Sequence, residues 1–395
     1  MKVLLLGVGM QGRTALHDLC TSDGIETVVA ADYDLEALAS YVEGLPDARR
    51  VICKQVDASQ SESIAHLMGQ GFDVVIDLLP ATFIDNVVQA AVEHGVHFIN
   101  TMHATPLMRA LASEAEGKGI VLLPDLGMDP GIDLIMLGQA VGSLDRVSEL
   151  SSYGSGIPAP EAADNPIKYK VSWTFDGVLE LYRRPARLIR EGVAVEIPGT
   201  EILRPPNTHM VEIAELGTLE AYVNGDFLPT IESLDLDTSG LVNAGQYTLR
   251  WPGHCEFWRK IVDLHLLDKE PVIVDGQAVD RKRYLVAALE PHLQYAETEQ
   301  DLAILRVEAS GTKDGEPTRV VLQLIDRRDL VTGLTAMSRL VGFTASIGAQ
   351  MIDSGAISRR GLLSPASDVP YQAFIEELRK RGVEITTSVS GLPTA

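Results

Sequence analysis

Along the first third of the chain, short unbroken apolar runs alternate with stretches of helical periodicity. Lys2-Val3-Leu4-Leu5-Leu6 is compact, apolar and β-compatible, and Gly7-Val8-Gly9-Met10-Gln11-Gly12 follows at once. Leu16, Leu19 and Cys20 then recur at three- and four-residue spacing, which predicts a helix. A second apolar run, Val28-Val29-Ala30-Ala31, ends on Asp32. Further strands are predicted at 51–53, 72–76, 96–100 and 120–123, with helices over 34–43, 60–69, 82–94 and 105–117. Runs this apolar suit strands buried on both faces, as in a parallel sheet. Six strands alternating with helices predict an α/β fold with a Rossmann-type doubly wound parallel sheet.

The period then changes. Short β-like runs at 147–153, 167–173, 194–197, 219–223, 247–251, 302–309 and 320–324 are separated by turn signals rich in glycine and proline. They predict a second α+β domain built on a mixed or antiparallel sheet, with one interposed helix over 256–267. From Thr332 the pattern is helical again, and Gly333, Ala336, Gly342, Ala345, Gly348 and Ala349 make it rich in small residues. Such a helix packs closely on the first domain or on another subunit. A last amphipathic helix is predicted over 371–381, with Phe374, Ile375 and Leu378 inward and Gly382 as its C′ residue. The expected division is 1–125 plus about 330–395 for the first domain, and about 126–329 for substrate binding and oligomerisation.

The opening stretch carries chemistry. Strand, G-x-G-x-x-G, helix, strand and acid stand in register, with Asp32 twenty residues beyond Gly12. Gly7 allows the tight turn, Gly9 lets backbone approach a pyrophosphate, and Gly12 lets the helix pack on the strand. The helix N-terminus at Met10 and Gln11 offers N–H groups to phosphate. Asp32 would accept the ribose hydroxyls and repel a 2′-phosphate, so NAD is expected over NADP. Asp57, after the third strand, marks the adenine edge. Leu79 and Pro80, after the fourth, mark the nicotinamide side, together with Thr101, Met102 and His103.

Composition narrows the partners. At 395 residues the chain is too long for one ordinary core. Its formal charge of −22 argues against nucleic acid or an anionic membrane surface. Cys20, Cys53 and Cys255 show no metal spacing, so no metal is expected. No apolar run reaches transmembrane length. A cytoplasmic location is the expectation, with a homodimer or higher homo-oligomer as the assembly.

Four further stretches carry a resemblance. They are Asp129-Pro130-Gly131-Ile132-Asp133, the stretch 165–173 (NPIKYKVSW), Thr248-Leu249-Arg250-Trp251-Pro252-Gly253-His254, and Thr332-Gly333-Leu334-Thr335-Ala336-Met337. With the glycine loop they resemble the saccharopine dehydrogenase (glutamate-forming) and lysine 6-dehydrogenase family. The middle segment 173–182 is more similar to the latter. The resemblance implies NAD-dependent oxidation of the ε-amine of L-lysine to the semialdehyde and its cyclic imine. Saccharopine or carboxynorspermidine dehydrogenation is the alternative, and a non-catalytic NAD-binding homologue a third. The chain departs from the saccharopine enzymes at Thr101-Met102-His103 and at Gly154.

Oxidising an amine with a nicotinamide needs a neutral amine and a route for its proton. Asp129 is the first candidate to orient the amine, and is equally placed to cap a helix with Pro130 in its first turn. Arg250 suits a bidentate grip on an α-carboxylate. The two would hold opposite ends of lysine. Asp125 and Asp133 read as first-turn helix acids. Lys168 and Tyr153 are further candidates, and His103 and His254 could carry protons. Trp173 and Trp251 read as core or pocket wall.

Overall fold

The computed structural model describes residues 1–392. The first elements are β1 (Lys2–Leu6), α1 (Met10–Thr21), β2 (Thr27–Asp32), α2 (Leu35–Glu43), β3 (Val51–Gln55) and α3 (Ser61–Met68). They continue with β4 (Val74–Asp77), α4 (Ile84–His94), β5 (His97–Asn100), α5 (Pro106–Gly117), β6 (Val121–Leu123) and α6 (Ile132–Gly142). Local chemistry sets several ends. The side chains of Asp34 and Thr105 cap α2 and α5, accepting the N–H groups of Ala37 and Met108. Gly95, left-handed, closes α4.

Next come β7 (Arg146–Pro158), α7 (Phe175–Leu181), β8 (Ala186–Arg190), β9 (Val193–Ile197), β10 (Thr208–Ile213), β11 (Gly217–Val223) and α8 (Leu228–Ser233). Then follow β12 (Asn243–Arg250), α9 (His254–Asp263), β13 (Val272–Val274), β14 (Gln277–Val279), α10 (Arg281–Leu289), β15 (Asp301–Lys313) and β16 (Glu316–Arg327). The chain closes with α11 (Ala336–Asp353), β17 (Gly361–Leu362), α12 (Pro365–Asp368), α13 (Tyr371–Lys380) and β18 (Ile385–Gly391).

Two compact units result: Met1–Gly138 with Ser338–Glu384, and Gln139–Met337 with the terminal strand from Ile385. The divisions thus fall at 138/139 and 337/338 rather than near 125 and 330. β18 belongs to the second unit, where it pairs with β16. Residues 393–395, assigned to the first domain from sequence, lie outside the described residues.

The first unit is a seven-stranded parallel sheet in the order β17-β6-β5-β4-β1-β2-β3. The run 361–362 is too short to announce a strand, yet it docks by Gly361 N–H to Ile120 O and Leu363 N–H to Leu122 O. Strand order reverses between β1 and β4. That switch point is where an open α/β sheet takes its ligand, outside the carboxyl ends of the strands. The small face of α11 lies on α1: a Cβ on Gly342 would stand 2.6 Å from the Ala15 nitrogen. Buried Asp18 ties three helices, bonding Ser346 Oγ at 2.6 Å and Arg381 Nε at 2.7 Å.

The second unit is a nine-stranded mixed sheet in the order β10-β11-β12-β7-β15-β16-β18, with β8 and β9 joined through β12. β12 and β7 run parallel, and the other pairings are antiparallel. Alternation sends Leu219, Ala221 and Leu249 into one apolar cluster with Tyr153. Tyr222 enters another, with Tyr169, Tyr182 and Trp258. The predicted strand over 167–173 is absent. Asn165 holds this stretch as a loop, its Oδ1 accepting from Ile167 N and Tyr169 N and its Nδ2 donating to Tyr169 O. The helix predicted from Thr332 starts at Ala336, where the Asp301 carboxylate takes the N–H groups of Ala336 and Met337.

Candidate functional site

Close packing dictates the glycine loop. Gly7 has φ +82°, and a Cβ there would meet Leu78 O at 2.7 Å. A Cβ on Gly12 would lie 2.0 Å from Gly7 O, while one on Gly9 would meet no protein atom within 4 Å. Beyond Gly9, α1 begins with no side-chain cap and no acid in its first turn. Met10 is about half exposed, and the buried Oε1 of Gln11 has no hydrogen-bond partner among the described residues. An open cradle facing an uncapped helix N-terminus fits a pyrophosphate.

The Asp32 carboxylate accepts Val8 N–H at 2.7 Å and Asp34 N–H at 3.1 Å. Each oxygen retains accepting capacity for a ribose hydroxyl. The groove beside it is lined by Tyr33, Asp34, Leu35, Glu36, Ala39 and Gln55, with no lysine or arginine. Asp57 lies in the loop after β3. Its carboxyl is held below the usual range by hydrogen bonds from the Ser59 hydroxyl and N–H.

At the carboxyl ends of β4, β5 and β6 the chain places Leu79, Pro80 and His103. Leu79 N–H donates to Asp77, whose fully buried carboxyl is pushed up to about 7 by burial. Asn100 bonds Asp77 Oδ2 at 2.9 Å and takes Met102 N–H at 2.5 Å. His103 Nδ1 stands 2.6 Å from Asp125 Oδ1. Asp125 has φ +59° and precedes α6, so it is not a helix acid. Pro130 is not in the first turn either, because α6 starts at Ile132. Asp133 is the first-turn acid, and its Oδ1 accepts Gly131 N–H at 2.7 Å. Burial and then Asp129 hold the Asp133 carboxyl well above its ordinary range.

In the second unit three of the quoted stretches converge on the end of β7. Trp251 Nε1 donates to Pro158 O at 2.9 Å. A Cβ on Gly156 would meet Ser172 Oγ and Met337 Cε, each at 2.6 Å. Arg250 is 3% exposed there, donating to Leu249 O at 2.9 Å and Ser155 Oγ at 3.3 Å, with Cζ 5.3 Å from the Tyr169 ring centroid. No carboxylate among the described residues pairs with Arg250, and its Nε, the Tyr169 hydroxyl and the Ser172 hydroxyl lack partners. The other buried cation, Lys170, is held by Glu299 at 2.5 Å and Asp164 at 3.1 Å. His254, bonded to the Tyr182 hydroxyl at 2.8 Å, is kept neutral by burial and then by Arg250.

Lys168 and Tyr153 do not join this group. Lys168 is exposed at φ +49° in the Asn165 loop. Tyr153 packs in the Leu249 cluster, bonds His209 Nε2 at 3.1 Å and stacks on Tyr247. Trp173 is partly buried against the Tyr169 cluster, and Trp251 against the other. Sequence reasoning missed Ser155, Tyr182 and Tyr222, which carry no motif. It also missed the coupling of His103 to Asp125, which only a 22-residue spacing across two parallel strands encodes.

Residues 3–123 match the saccharopine dehydrogenase NADP binding domain, and residues 127–383 match the saccharopine dehydrogenase C-terminal domain. The chain belongs to the saccharopine dehydrogenase family. It is therefore an oxidoreductase whose first unit binds a nicotinamide dinucleotide. It is 24% identical to saccharopine dehydrogenase (NADP(+), L-glutamate-forming) of Schizosaccharomyces pombe over 98% of each chain. It is 27% identical to mitochondrial alpha-aminoadipic semialdehyde synthase of Bos taurus, over 98% of this chain and 47% of that protein. The fold is that of apo saccharopine dehydrogenase (L-Glu forming) from Saccharomyces cerevisiae, with TM-score 0.86 at 22% identity over 98% and 99% of the two chains. These relatives are named for saccharopine and, in the fission yeast enzyme, for NADP. The family resemblance read from sequence holds, while lysine and NAD rest on this chain's own residues.

Proposed function

We propose that this family member is an NAD-dependent dehydrogenase oxidising the ε-amine of L-lysine. Arg250 carries the reading: the second unit buries one guanidinium that no carboxylate among the described residues neutralises. A buried charge in that state is costly until an opposite charge arrives. A planar fork with an unpartnered Nε suits one α-carboxylate. Lys170 already has its acids, so a substrate with several carboxylates finds no second unpaired buried cation among the described residues of this unit. That favours lysine over saccharopine.

NAD is favoured by the groove beside Asp32. A 2′-phosphate would face Asp32, Asp34 and Glu36 with no lining lysine or arginine to receive it. Gly7, Gly9, Gly12 and the N–H groups of Met10 and Gln11 would hold the pyrophosphate, and Asp32 the ribose. When bound, the nicotinamide accepts a hydride.

The protein's residues anchor and orient. Arg250 fixes the α-carboxylate through its planar fork. The ε-ammonium loses a proton and its carbon a hydride, leaving an iminium. Water adds, ammonia departs, and the aldehyde condenses with the α-amine by loss of water. Because lysine's ε-ammonium has a pKa near 10.4, turnover should rise toward alkaline pH.

The test is product analysis with NAD and lysine. One ammonia per reduced nicotinamide, with the cyclic imine trapped by an aromatic amino-aldehyde, is expected. Release of glutamate from saccharopine, with no ammonia from lysine, would contradict the reading.

A further inference from the structure

We infer that His254, acting through the Tyr182 hydroxyl, aims the Arg250 guanidinium at the substrate carboxylate and so is a positioning residue for substrate binding. This rests on the reading that Arg250 grips a carboxylate. The fold brings the parts together over a short stretch of chain. β12 ends on Arg250, the turn Trp251-Pro252-Gly253 has a left-handed φ of +97° at Gly253, and α9 opens on His254. Tyr182 follows directly on α7 and stacks on Trp258 of α9, with ring centroids 4.7 Å apart. Its hydroxyl stands 2.8 Å from His254 Nε2. Arg250, Tyr182 and His254 are all buried, so bulk water does not compete for these bonds.

Each of these bonds has one favourable direction. A guanidinium only donates. Arg250 Nη1 donates to Leu249 O at 2.9 Å and to Ser155 Oγ at 3.3 Å. Ser155 can accept there because its own hydrogen goes to Leu249 O, at 2.6 Å. Tyr182 meets the same requirement with a side-chain acceptor. Burial works against the Arg250 charge, and the oxygens of Tyr222, Tyr182 and Tyr169 work for it. The Tyr182 hydrogen therefore points away from the cation, and His254 Nε2 receives it. Nε2 can accept in a neutral ring whose hydrogen sits on Nδ1. Burial, and then Arg250, keep the ring neutral. Its place in the first turn of α9, at the positive end of the helix dipole, acts the same way. The Tyr169 ring covers the guanidinium, with Cζ 5.3 Å from its centroid. Held in this way, Arg250 keeps a buried Nε with no partner among the described residues.

Without an acceptor at residue 254, the Tyr182 hydrogen turns back toward the cation and pushes the guanidinium out of line. The loss falls on substrate binding, because the dinucleotide contacts belong to the first unit. His254 itself touches neither substrate nor cofactor in this scheme.

Steady-state kinetics and nitrogen NMR on the full-length protein test this. His254→Phe keeps a ring and removes the acceptor. KM for lysine should rise about tenfold, the effect of one misdirected hydrogen bond, with a smaller change in kcat and none in NAD affinity. Tyr182→Phe, which removes a hydroxyl alone, should give the same rise and carries the test where His254→Phe folds poorly. The double variant should be no worse than either single one. His254→Gln, whose Oε1 can accept, should recover most of the native KM. A merely structural role would lower the melting temperature without moving KM. With ¹⁵N-labelled histidine, the His254 signals, assigned by their loss in His254→Gln, should report a protonated Nδ1 and a bare Nε2. A protonated Nε2 would overturn the relay. If the native protein oxidises lysine and both phenylalanine variants keep its KM, the positioning falls and the functional reading stands. If the native protein oxidises saccharopine and not lysine, the functional reading falls. A tenfold rise in KM for saccharopine in the variants would then still support the positioning, and an unchanged KM would overturn it. If neither is oxidised, both fall.

Discussion

A methyl group added at Gly9 would enter open space, whereas one at Gly12 would land 2.0 Å from a carbonyl oxygen. The same residue type therefore serves the ligand at one position and the fold at the other. Gly9→Ala should leave the melting temperature almost unchanged and weaken dinucleotide binding at least tenfold, read by fluorescence titration. At Arg250 the argument concerns charge geometry. Arg250→Lys keeps the charge but loses the fork, so KM for lysine should rise about 10- to 100-fold, the cost of a lost charge-assisted hydrogen bond. NAD affinity should stay constant, and steady-state kinetics beside a cofactor titration would separate the two. Asp129→Asn should likewise keep cofactor affinity and lower turnover. The glycine loop was legible in sequence because close approach permits one residue type. Lys168 and Lys170 were not distinguishable there. The Asn165 loop exposes the first and buries the second, and apolar spacing carries no trace of a side-chain-built loop.

Among the elements, α11 shows how a small-residue face is used. Gly342 meets the α1 backbone, and Gly348 would carry its Cβ 2.2 Å from a Leu126 methyl. Gly342→Val should destabilise the protein by about 1–3 kcal/mol through overpacking, seen as a lower denaturation midpoint. The small-residue pattern was readable because close helix packing needs several small positions on one face. The helices and buried strands of the first unit were readable for a similar reason, since burial on both faces makes whole runs apolar. Strands β8, β10 and β18 were not. Their solvent-facing residues, such as Arg187, Glu212 and Ser388, break the apolar pattern, and partners far along the chain specify them. Arg250 was legible in sequence only as a candidate, from its motif. Its lack of an acid partner among the described residues is a property of packing alone.

For the molecule as a whole, Asp77 links the fold to pH. Burial raises its folded-state pKa to about 7, against about 3.9 in the unfolded chain. The proton it holds therefore stabilises the folded state fully below about pH 4, and that contribution is lost as pH rises to about 7. Asp77→Asn, which cannot ionise, should remove this part of the decline, flattening the melting-temperature profile across that window. No helix among the described residues is long and apolar enough to cross a membrane. The most direct measurement is kcat/KM for the native protein with lysine and with saccharopine, each with NAD and with NADP. Asp32 and Arg250 together predict that lysine with NAD is fastest, by at least tenfold over either single change. Saccharopine with NADP as the fastest pair would contradict it.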